Sequence, residues 1–124
     1  MAGTLTISTL SDGTNSTSAT NCIQGSAKAW VNFNGTNGTI YTSYNTSSVT
    51  RNSAGNYTMN LTNALTSANY SACGMGGAIS GGSGNSTNLF LTTYNLTASA
   101  FQFGTLNTSA VNSDQNYVSV ALFR

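Results

Sequence analysis

The chain has 124 residues and carries 3 Lys+Arg against 2 Asp+Glu, with no His and no Pro, for a net charge of +1. Charged residues make up only 4% and hydrophobic residues 39%, which sets aside the chemistry that needs carboxylate pairs, His/Cys clusters or basic patches: acid–base catalysis, metal binding and nucleic-acid recognition. One domain fits this length, and disorder, which goes with high net charge, is not favoured.

At the N-terminus Leu5 and Ile7 alternate with Thr4, Thr6 and Ser8, a pattern that predicts a short strand or arm. The opening residues show neither a basic nor an apolar leader, and no run approaches the roughly 20 apolar residues of a membrane span. Residues 11–26 are rich in Ser, Thr and Asn and read as an extended connector. Residues 1–25 are thus expected to form an arm, with Leu5, Ile7 and Leu10 attaching it to a larger particle, and residues 26–124 to form a knob.

The strongest strand pattern follows, with Ala27, Ala29, Val31 and Phe33 on one face and Lys28, Trp30 and Asn32 on the other. Residues 34–38 hold two Asn-Gly pairs suited to a turn. The partner strand spans residues 39–44, with Ile40, Thr42 and Tyr44 set against Tyr41 and Ser43. A second hairpin runs from Val49 through a turn at 52–55 into Tyr57, Met59 and Leu61. Residues 70–74 read as a short strand and the glycine-rich stretch 74–88 as a loop. Residues 89–94 and 100–103 are further strands. The last strand, residues 117–123, is apolar on both faces: Val118, Val120 and Leu122 on one, Tyr117, Ala121 and Phe123 on the other. Such a strand is expected to be covered by the core on one side and by a neighbour on the other. About seven or eight short strands with turn signals between them indicate an all-β fold, a small antiparallel β-sandwich or barrel-like knob with an extended N-terminal arm.

The candidate chemistry is sparse. Asp12 and Asp114 are the only carboxylates and read as turn or cap residues, and Lys28 is the only base near a strand face. Asp12, Gly13 and Asn15 faintly suggest a calcium loop, but an ordinary turn explains them better. Cys22 and Cys73 read as reduced thiols. The glycines at 74–84 lack the Lys of a phosphate loop. The recurrent Asn-x-Ser/Thr triplets follow from composition. No cofactor, metal or catalytic residue is expected, and the chain is read as non-enzymatic. Neutral amides and hydroxyls beside aromatic rings do suit carbohydrate recognition, for which the stretch holding Gly81, Asn85 and Asn88 is the candidate. So little charge and so thin an apolar supply point to self-association, with Trp30, Tyr117, Ala121 and Phe123 at the interface.

The block Gly25-Ser26-Ala27-Lys28-Ala29-Trp30-Val31-Asn32-Phe33-Asn34-Gly35 resembles a recurrent segment in virion proteins of tailed bacteriophages, notably those of cyanobacteria and other aquatic bacteria. Ser43-Tyr44-Asn45, Gly55-Asn56-Tyr57-Thr58, Ala68-Asn69-Tyr70 and the ending Tyr117-Val118-Ser119-Val120-Ala121-Leu122-Phe123 fit the same pattern, as does the leader Leu10-Ser11-Asp12-Gly13-Thr14. The resemblance implies a β-rich virion surface protein; the departure from the family is length, since only about 25 residues stand before the block, and a short fibre, a fibre-tip subunit or a capsid knob is expected rather than the shaft of a long fibre. A homotrimeric tail-fibre or tail-tip subunit contacting a host glycan is the expectation, assembled in the bacterial cytoplasm with other virion proteins. A capsid decoration protein is the alternative. Nucleic acid and membrane insertion are not expected.

Overall fold

The computed structural model describes residues 3–77, 92–107 and 109–124. The arm is more structured than its composition suggests. Strand β1 (Thr9–Ser11) pairs antiparallel with β2 (Ser16–Ser18). Asp12 closes this hairpin: its Oδ1 accepts from the N–H groups of Asn15 at 2.7 Å and Thr14 at 3.0 Å, while Gly13 takes φ +94°. These bonds, led by that from Asn15, hold the Asp12 carboxyl below its ordinary range. Helix α1 (Ala19–Gly25) follows, with Ser18 as its N-cap accepting from the Asn21 N–H at 3.1 Å. At the other end the Lys28 ammonium donates to the carbonyls of Ile23 and Ser26, a favourable place for a cation. The expectation of a strand near residues 4–8 and an extended connector over 11–26 is therefore corrected. Ser, Asp and Asn supply local turns and caps that need no apolar periodicity, and a helix of 7 residues is too short to display one.

The body begins with β3 (Ala27–Phe33) and continues through β4 (Ile40–Tyr44), β5 (Thr46–Ser53), β6 (Asn56–Leu61), β7 (Ser71–Gly77), β8 (Thr92–Leu96), β9 (Ala100–Gly104) and β10 (Tyr117–Phe123). They form two antiparallel four-stranded sheets, ordered β4-β3-β10-β7 and β5-β6-β9-β8. The fold is a small all-β sandwich. The first sheet turns Ala29, Val31, Phe33, Val118, Val120 and Leu122 inward, and the second turns Tyr57, Met59, Leu61, Phe101 and Phe103 to meet them. Edge-on aromatic contacts link the layers, with the ring centroids of Phe33 and Tyr57 5.1 Å apart, while Phe101 and Phe103 stack at 5.2 Å within the second sheet. The hairpin and helix of the arm pack on one another, and among the described residues none of theirs belongs to this core.

Three details depart from the alternation. Asn32 pairs with Thr42 but Phe33 with Ile40, which leaves Tyr41 as an extra residue in β4. This bulge turns Ile40 toward the core and separates it from Thr42 and Tyr44, which the alternation had placed on its face. The glycines up to Gly77 are not loop: β7 runs through them, paired along its length with central strand β10, so backbone pairing overrides a poor strand composition. Asn45 makes the corner between the sheets at φ +53°. Its Nδ2 donates to the carbonyls of Lys28 and Asn63, each at 3.1 Å, and its Oδ1 accepts from the Asn63 N–H at 2.8 Å.

Candidate interaction surfaces

Side chains that face away from the core on the first sheet form rows across it. The register sets Tyr44, Trp30, Ala121 and Cys73 side by side, then Thr42, Asn32, Ser119 and Met75. Because β10 carries small residues at 119 and 121 between Trp30 on β3 and Met75 on β7, the centre of the sheet is a shallow groove of about 440 Å³. Its walls are Trp30 and Met75 and its floor is Ser119 and Ala121. At one end Tyr41 stacks on Tyr117 with centroids 5.9 Å apart, and its hydroxyl donates to the Asn116 carbonyl at 3.2 Å. On the floor Asn32 Nδ2 donates to Ser119 Oγ at 2.9 Å, while Asn32 Oδ1 is buried with no partner. Exchanging the two ends of the amide would let the Ser119 hydroxyl donate to Oδ1 instead.

Trp30, Tyr117, Ala121 and Phe123, singled out from the sequence, thus share one outer face. Tyr41, Tyr44, Cys73 and Met75 join them and were not foreseen. The bulge hid Tyr41, and the glycines around Met75 concealed its strand. Leu5, Ile7 and Leu10 also come together, around a second concavity of about 390 Å³ completed by Ala19, Cys22 and Ile23. Leu5 is 81% and Ile23 66% exposed. Gly81, Asn85 and Asn88 lie outside the described residues. Both cysteines are free thiols.

Asp114 is placed differently from the turn or cap role read from the sequence. Its carboxylate pairs with the Arg51 guanidinium at 2.6 Å and accepts from the Gly55 N–H and the Tyr57 hydroxyl, each at 2.8 Å. It therefore ties the β5–β6 hairpin to the segment leading into β10. Burial pushes the Asp114 carboxyl up, but the bonds from Arg51, Gly55 and Tyr57 outweigh it and the net direction is down. Burial, then the bond to Asp114, pushes the Tyr57 phenol up to about 12. A carboxylate with its oxygens occupied and a phenol held neutral make a structural latch and leave no free base.

Among the described residues no His, Cys, Asp and Glu side chains gather into a group able to hold a metal ion, and no helix is long and apolar enough to cross a membrane. Fold and surfaces together define an all-β sandwich with an apolar arm and an apolar outer sheet face. No protein-family model, curated protein or solved structure matches the chain.

Proposed function

We propose that this chain is a non-enzymatic surface module of a bacteriophage virion, a tail-fibre or tail-tip subunit that assembles as a trimer and contributes to host attachment. The observation that carries the reading is where the exposed apolar surface lies. Among the residues whose side chains are described, which leaves out 92–94, and apart from Leu96 and Val111, every large apolar or aromatic side chain that is exposed sits either in the arm or on the outer face of the first sheet: Leu5, Ile7, Leu10 and Ile23 in the former, Tyr41, Tyr44, Met75 and Tyr117 on the latter. Apolar surface gathered in two patches marks contact sites, and a module with an anchoring arm and a covered sheet face suits a particle surface. The resemblance of the sequence to virion proteins supplies the setting. In this reading the arm joins the particle, and host contact, with a neutral glycan as the expected receptor chemistry, falls to residues 81–88.

The test is immunogold labelling of purified particles with antibody raised against the chain. Label at the tail tip or along a fibre is the expected result. Label over the head would reassign the module to capsid decoration, and particles free of the chain by mass spectrometry would end the virion reading.

A further inference from the structure

We infer that the apolar patch of the arm docks in the outer-face groove of a second copy of this chain. The inference rests on the reading above only for the claim that the module works as a multimer, and it reassigns the apolar patch of the arm from the particle to a neighbouring copy. Each chain exposes both surfaces, the patch of Leu5, Ile7, Leu10 and Ile23 and the groove between Trp30 and Met75. Among the described residues, neither presents a free charge. No Asp, Lys or Arg lines the groove. Beside the patch, Asp12 is occupied by its own turn and Lys28 by the end of α1. A charged partner would bury its charges there without counterions, at a cost of several kcal/mol each, whereas neutral apolar surface loses nothing. The two surfaces also occur in equal number, so one repeated contact covers both at once. A contact between different patches of identical chains runs head to tail, and it closes into a ring where the rotation allows.

Cross-linking tests this directly. Cys73 stands at the groove wall, so an acceptor chain Cys22→Ser keeps that single thiol. A donor chain with Ile7→Cys, Cys22→Ser and Cys73→Ser carries its thiol only on the arm, at an exposed position where the change leaves folding intact. Mixing the two, with a size tag on the donor, and adding a short bis-maleimide is expected to give the tagged heterodimer. Ile7→Asp, in a chain with both native thiols, should weaken association in sedimentation by about tenfold or more, the loss expected for one buried aliphatic side chain. No heterodimer would overturn the inference. So would acceptor chains joining one another through Cys73, which would mean that the sheet faces pack on each other. A chain bearing both thiols that closes on itself at high dilution would overturn it too, since the arm would then cover its own body. These measurements use purified protein, so they stand or fall apart from the location of the chain on a particle.

Discussion

At the scale of single residues, the Asp114 latch sets the pH response. With the Asp114 pKa lowered in the folded state, its contribution to stability is complete above the ordinary carboxylate range and is lost as pH falls through that lowered value. With the Tyr57 pKa raised from 10.0 to about 12, its contribution is complete below the ordinary phenol value and is lost as pH rises through about 12. Urea denaturation followed across the pH range should therefore give a plateau with an acid and an alkaline limb. Asp114→Asn should flatten the acid limb and Tyr57→Phe should reduce the alkaline one. An acid limb unchanged in Asp114→Asn would show that the latch does not form. Asp114→Ala should cost about 1–3 kcal/mol at neutral pH, because the Gly55 N–H and the Tyr57 hydroxyl lose their acceptor. None of this was legible in the chain, since Arg51 and Asp114 are 63 positions apart and only the fold brings them together. Local bonds are another matter: the Asp12-Gly13 turn follows from residue types alone.

Among the elements, alternation of apolar and polar residues located β3, β6 and β10 and their buried faces, because an amphipathic strand writes its burial directly into its sequence. It failed wherever something else decides the structure: capping for α1, a bulge for β4, cross-strand pairing for the glycines of β7. The corner between β4 and β5 is a fourth such place. Asn45 tolerates the left-handed backbone better than most residues, and its amide bonds Lys28 and Asn63 as well. Asn45→Ala should destabilise the sandwich by about 1–3 kcal/mol through the lost hydrogen bonds and the strained φ. Asn45→Gly relieves the strain alone and should fall between. Equal midpoints for Asn45→Gly and the native chain in a denaturant titration would show that the amide bonds contribute nothing. In the core Phe103, fully buried among Phe33, Tyr57 and Phe101, should cost about 3–5 kcal/mol when replaced by Ala.

For the molecule as a whole, composition announced surfaces without charge, but not where the apolar patches lie. The outer face is assembled from four strands drawn from three distant parts of the sequence, so its residues became neighbours only once the order β4-β3-β10-β7 was known. The same architecture separates folding from assembly. Among the described residues every buried core side chain comes from Ala29 or later, and the arm closes its own hairpin and caps its own helix. Removing residues 1–24 should therefore leave a body that unfolds cooperatively with its stability changed by no more than about 0.5 kcal/mol, as for other sites away from the core. The native chain should sediment as a multimer at micromolar concentration and the truncated one as a monomer, since the groove then has no arm to receive. Loss of cooperative unfolding on truncation would make the arm part of the folding unit. A truncated chain that still sediments as a multimer would place the self-contact on the sheet faces alone, and Trp30→Ala in that background would then be the substitution that dissociates it.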